Sequence, residues 1–226
     1  MKGSRTVARV AASWVLAAAA GLASAQTFTE GFDNVAALPA AGWLQVNNGA
    51  PPREPWSQGV NTAAIVAFEG APSAYVSANY LSSDSGAIDN WLISPVLNIS
   101  AASQLSFVTR SSAEGPFVDI LEVLWSSGTR LVLNGFTSLS TIGSSALYPT
   151  PWTEFVLALP DVASGRFAFR QRGANETSSY IGVDSVRVTL AVAPIPEPET
   201  WALMGAGLAA LSLFARRRAR GMRSHA

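Results

Sequence analysis

Phe117-Val118-Asp119-Ile120-Leu121-Glu122-Val123-Leu124-Trp125 is the stretch that decides the fold class. Its apolar residues Val118, Ile120, Leu121, Val123 and Trp125 are broken by Asp119 and Glu122. That near-alternation is the period of a strand with one face on a core, not the 3.6-residue period of a helix. Ser126-Ser127-Gly128-Thr129 follows and predicts a hairpin turn into a strand over residues 130–133.

The same pattern recurs on both sides. Residues 27–32, 64–68, 75–79, 89–93, 104–110, 152–159, 166–171 and 180–190 read as further short strands, separated by Gly, Pro, Asn and Ser. No convincing helix interrupts them. Many short strands without helices predict an all-β fold, an antiparallel β-sandwich. Residues 135–150 are polar and small, which predicts a long surface loop. The chain has neither a repeat of fixed period nor a glycine-rich phosphate loop.

The two ends have different chemistry. Lys2, Arg5 and Arg9 precede an apolar stretch over residues 10–22, and Ala23-Ser24-Ala25 follows. This reads as a secretory signal peptide over residues 1–25, cleaved after Ala25; an uncleaved signal anchor is the alternative. At the other end, Pro194, Pro196 and Pro198 predict an extended spacer. An uncharged apolar run over residues 201–215 comes next, then Arg216, Arg217, Arg218, Arg220 and Arg223. The run predicts a single transmembrane helix whose arginines mark the cytoplasmic side. It is short, at roughly 22 Å against a hydrocarbon core of about 30 Å. A buried amphipathic helix is the alternative, and a run that is apolar all round argues against it.

Residues 26–193 remain, enough for one domain with one core. From Gln26 to Glu199 the chain carries seven arginines against fifteen acids, a net charge of −8. Such a domain has no basic patch to neutralise phosphates, so nucleic acid is not its partner. The chain has no cysteine, and its one histidine, His225, lies beyond the arginine cluster. A Ser-His-Asp triad, a cysteine nucleophile and a zinc site of the usual ligands are therefore excluded from residues 26–193.

The order Pro196-Glu197-Pro198, apolar run, basic cluster resembles the PEP-CTERM protein-sorting tail over residues 194–226. That resemblance implies an exosortase as partner, a membrane-embedded cysteine transpeptidase of Gram-negative bacteria that acts at or near Pro196, Glu197 and Pro198. It further implies a transient inner-membrane precursor with its domain in the periplasm. The processed domain then goes to the cell surface or extracellular matrix, in the company of exopolysaccharide.

A second set of strings spans most of the domain. Phe32-Asp33-Asn34, Leu38-Pro39-Ala40-Ala41-Gly42-Trp43, Trp56-Ser57-Gln58-Gly59, Asn90-Trp91-Leu92-Ile93-Ser94-Pro95 and Leu105-Ser106-Phe107 occur in that order. Together they resemble the choice-of-anchor J domain, which is similar to cleaved-adhesin and MAM-like modules. The resemblance implies a jelly-roll sandwich of about ten strands. It also implies a structural calcium between the first and last strands, for which Glu30, Asp33 and Asp184 are the expected ligands.

Other candidates come from the residues themselves. Trp43, Trp91 and Trp125 sit among apolar neighbours and are expected in the core. Trp56 and Trp152 border prolines in loops and are the expected exposed rings for stacking on a glycan. Asp119 and Glu122, three apart in a strand, face opposite ways and read as solvated surface acids, not as a catalytic pair. The sequence thus predicts a non-enzymatic surface or matrix protein, with a glycan-binding module as the alternative.

Overall fold

The computed structural model describes residues 27–61, 65–99, 103–112, 116–144, 147–189 and 198–221. Residues 1–25, expected to be a signal peptide ending at Ala25, lie outside the described residues, as do Pro196 and Glu197. In chain order the first strands are β1 (Thr27–Glu30), β2 (Leu44–Asn47), β3 (Ser57–Gln58), β4 (Val76–Asn79), β5 (Ala87–Ile93) and β6 (Leu97–Asn98). They are followed by β7 (Gln104–Ser111), β8 (Ile120–Ser127), β9 (Thr137–Ile142), β10 (Thr153–Ala158), β11 (Ser164–Ala174) and β12 (Tyr180–Thr189). The helix α1 (Pro198–Gly221) is a unit apart from the β unit, Ala25–Pro194.

The strands form two six-stranded antiparallel sheets. The first runs β10-β7-β12-β4-β3, with β1 also on β12; the second runs β2-β5-β11-β8-β9, with β6 also on β11. Each sheet is built on one long central strand. β12 pairs β7 along one edge, and β4 then β1 along the other. β11 pairs β8 along one edge, and β6 then β5 along the other.

The alternation seen in the sequence sets which face is buried. On β8, Leu121, Val123 and Trp125 point into the sandwich, opposite Gln171, Phe169 and Phe167 of β11. The core is aromatic at its centre. Trp43 meets Phe32 and Phe167 edge-on with ring centroids 5.6 Å apart, and Phe169 meets Phe107 at 5.0 Å and Phe167 at 5.5 Å. Trp43 and Trp125 are core residues, as expected. Trp91 is buried too, but in a second cluster with Ile93, Leu124 and Ala168.

That second cluster explains a departure from the sequence reading. Residues 130–133 are not a strand and residues 126–129 are not a tight hairpin turn: β8 continues to Ser127 and the chain then leaves the ladder. A short 3-10 turn at Leu133–Gly135 brings Leu133 and Phe136 onto the outer side of the second sheet, against Trp91. The returning strand is β9, inside the expected loop. Its Thr-Ser-Leu-Ser-Thr-Ile sequence gives little strand signal, and its order comes from pairing with β8, Leu121 opposite Ile142 through Trp125 opposite Thr137.

Residues 65–68 are not a strand either. They lie on the outer face of the first sheet, tied there by side chains rather than by a ladder. Trp152 Nε1 donates to Val66 O at 2.9 Å, and the amides of Phe68 and Glu69 donate to Asp184 Oδ2 at 2.8 and 3.1 Å.

Helix α1 contains the expected apolar run and extends past it at both ends. Pro198, expected in the extended spacer, is its first residue, where a missing amide hydrogen costs nothing. Among the described residues no helix is long and apolar enough to cross a membrane. The physical reason is the short run: the rest of α1 is Pro-Glu-Thr at one end and arginine-rich at the other.

Candidate functional site

Gly182 organises the outer face of the first sheet. It lies on β12 between Ile181 and Val183, which point into the core, so its own side faces outward. A Cβ at Gly182 would stand 3.0 Å from both Trp152 Cη2 and Tyr75 Cδ2. The absent side chain is what lets the two rings lie against the sheet. Trp152 meets Tyr75 edge-on at 5.7 Å and 79°. Its indole is fixed at the other end by the bond to Val66 O.

Three more groups complete the cluster. Arg110 of β7 is the register partner of Gly182, and its Cζ stands 6.0 Å from the Trp152 ring centroid. The hydroxyls of Tyr180 and Tyr75 are 3.1 Å apart. Tyr75 donates to Val60 O at 2.8 Å. Tyr75 is fully buried, and burial with the Tyr180 contact pushes its phenol well above the usual tyrosine range, so it stays neutral. Trp152, Arg110 and Tyr180 are partly exposed. They offer an indole, a guanidinium and a phenol on one surface.

Trp56 does not join them. It is 1% exposed, and its Nε1 donates to Asn90 O at 3.1 Å between the sheets. Pro55 precedes it as expected, but Ser57 begins β3, and the entry to that edge strand turns the indole inward. Only Trp152 of the two expected stacking rings reaches solvent. Sequence reading missed Arg110 and Tyr180, because nothing local marks them: β7 and β12 bring them to Trp152 through the sheet register.

The expected calcium ligands do not converge: Asp33 and Asp184 approach residues 68–70, while Glu30 turns to its own strand end. Glu30 Oε1 accepts from Phe32 N at 2.8 Å. Asp33 Oδ1 lies 3.2 Å from where a Cβ on Gly70 would be. Asp184, fully buried, accepts from Phe68 N and Glu69 N through Oδ2, and from Ser185 N through Oδ1 at 2.6 Å. Burial raises its carboxyl above the usual range, against the pull of these three amides. Phe32 and Ser185 have positive φ, 54° and 51°, which strains a non-glycine residue. Among the described residues no three acidic, histidine or cysteine side chains come together closely enough to hold a metal ion. The donors in place therefore fit a calcium ion only in part, with most of Asp184 committed to amides.

Asp119 and Glu122 are not solvated surface acids. Asp119 is 2% exposed and accepts from Ser179 N at 2.7 Å and Ser111 Oγ at 2.8 Å, while burial raises its carboxyl. It sits one residue before β8, where its side chain turns under the chain to hold the approach to β12. Glu122 does face outward, into a network with Arg170 and Arg172 at 3.1 and 2.8 Å. Arg170 also pairs Asp89 at 2.6 Å and lies 4.5 Å from the Trp91 ring centroid. Each acid is thus committed to structure, and neither shares a cleft with the other.

The helical tail brings together Pro198, the apolar run and Arg216, Arg217, Arg218 and Arg220 on one continuous element. Residues 194–218 match the PEP-CTERM protein-sorting motif. The PEP-CTERM match covers the tail alone. The β unit is similar in fold to cleaved adhesin domains of Lys-gingipain from Porphyromonas gingivalis W83. The K1 domain matches with a TM-score of 0.55 and 20% identity, over 74% of this chain and 99% of that one. The K3 domain matches with a TM-score of 0.55 and 19% identity, over 74% and 100%. At these identities the likeness is one of fold, a jelly-roll sandwich. No curated protein matches the chain.

Proposed function

We propose that the chain is an exported, non-catalytic surface or matrix protein, held briefly by its tail and processed by an exosortase at Pro196-Glu197-Pro198. The match of residues 194–218 to the sorting motif carries this reading. The shape of α1 supports a brief hold: its apolar run is short for a bilayer, so anchoring is weak, while the arginines resist passage outward. Non-catalysis is supported by the commitment of Asp119, Glu122 and Asp184 to internal hydrogen bonds and ion pairs. The processed β unit would join the outer surface or the matrix, beside exopolysaccharide. Intact-mass measurement on the protein from its own host, fraction by fraction, tests this. The expected mass ends between Pro196 and Glu199 and is found outside the inner membrane; a mass running to Ala226, confined to that membrane, would sink the proposal.

The second reading is a glycan-binding module, and the Trp152 surface favours it. Indole faces stack on sugar rings, and hydroxyl and guanidinium groups beside them fix orientation. Retention of the chain on immobilised polysaccharide, lost in Trp152→Ala, is the expected result; equal retention of the variant would remove this surface from consideration.

A structural calcium held by Glu30, Asp33 and Asp184 is a third, separate proposal. Support comes from the approach of Asp33 and Asp184 to residues 68–70, the register of Glu30 opposite Val186 near the same bulge, and the strained torsions at Phe32 and Ser185. Chelation should then lower the melting temperature of the purified protein. An unchanged transition, in protein assayed to contain no metal beforehand, would retire the three residues as ligands.

A further inference from the structure

We infer that the Trp152 surface selects acidic polysaccharides, those whose pyranose rings carry carboxylates, and that Arg110 reads the carboxylate. This rests on the glycan-binding reading and narrows it. The argument begins with where the positive charge goes on this domain. Arg53 pairs Asp84, Arg170 pairs Asp89 and Glu122, Arg172 pairs Glu122, and Arg187 pairs Glu69. Among the described residues Arg110, Arg130 and Arg166 have no ion pair. Arg166 donates to Thr129 O at 3.2 Å. Of these three, Arg110 alone stands over an aromatic ring.

At 6.0 Å from the indole centroid the guanidinium is at the outer limit of a cation–π contact, so the ring does not consume it. Its one internal hydrogen bond, from Nε to Ser111 O at 3.4 Å, is long. The planar fork is thus left to a group it matches, and a carboxylate accepts two parallel N–H bonds from it. The neighbouring indole supplies the apolar face on which the sugar ring would lie. A neutral glycan would use the indole and leave the fork wet; a uronate uses both.

The domain's charge makes this selective rather than general. From Gln26 to Glu199 the net charge is −8, so a polyanion is repelled by most of the surface. Screening confines that repulsion to about 8 Å at physiological salt, which lets a local guanidinium decide. Attraction to an acidic polymer therefore has to come from a particular place.

The test uses the full chain in non-ionic detergent, with polygalacturonate and alginate as acidic probes and galactan and xylan as neutral ones. Affinity electrophoresis or calorimetry at fixed salt gives the constants. The acidic polymers should bind at least about tenfold more tightly than the neutral ones, and Arg110→Gln should cost about tenfold or more on the acidic polymers alone. Arg110→Lys, which keeps the charge without the fork, should retain part of the preference. Arg130→Gln, an exposed arginine away from the indole, should change nothing. Equal affinity for both classes with Arg110→Gln silent would overturn the charge selection and leave glycan binding standing. An equal loss in Arg130→Gln would mark diffuse attraction to polyanions and overturn the assignment to Arg110. No retention of any polymer would overturn this inference and the glycan reading together.

Discussion

Phe169→Ala is expected to lower the unfolding free energy by about 3–5 kcal/mol. Phe169 is fully buried on β11, with Leu92 and Val123 as its partners on either side. Its ring links Phe167 on its own strand to Phe107 of the facing sheet, so truncation opens a cavity where the two sheets meet. Domains of this size are held by about 5–15 kcal/mol in all, so the loss takes a large share. The chain has no cysteine, and no disulfide buffers it. Denaturant unfolding should show a lower midpoint with an unchanged slope, meaning that the native state has lost stability without changing its extent. Phe169→Leu, which keeps most of the volume, should cost well under half as much. A loss below about 1 kcal/mol for the alanine variant would contradict the packing of Phe169 between the sheets.

Replacing Pro196, Glu197 and Pro198 together with alanine is expected to stop processing altogether in the native host. Full-length protein should then accumulate in the inner membrane, with none at the surface. Pro198 opens α1, and alanine there is compatible with a helix, so the helix itself should survive the change. The apolar run and the arginines are untouched, and insertion should proceed as before. The effect would therefore report on recognition by the processing enzyme. Undiminished surface protein of processed mass would show that the three residues are not read.

Much of the architecture was legible because burial on one face leaves a period in the sequence. β8 was readable from Ile120 to Trp125 for that reason, and β5, β7, β11 and β12 likewise. Three kinds of residue escaped. Edge strands such as β2 and β3 are short, and β9 is mostly Ser and Thr, so their order comes from the strands they pair with and not from a pattern of their own. Residues 65–68 carry apolar side chains and imitate a strand, but Asp184 and Trp152 take their backbone groups instead of a ladder. Buried polar groups were the third kind: Asp119 looks like any surface acid until Ser111 and Ser179 are brought to it. The Trp152 surface shows the same limit. One ring was readable from its proline-flanked loop, whereas Arg110 and Tyr180 belong to the site only because β7 and β12 align them.

The position of β12 bears on how such a domain would behave when pulled. Tyr180, at one end of the strand, borders the Trp152 surface, and Thr189 is the last residue at the other end, on the C-terminal side. Tension between a captured polymer and an attachment at the C-terminal end of the processed chain would run lengthwise along these ten residues. Because β7 lies on one edge and β4 then β1 on the other, that tension shears several rows of backbone bonds at once. Peeling, in which bonds break singly in turn, would need the load applied at one edge of the sheet. A tether on the central strand puts the domain in its mechanically stronger direction.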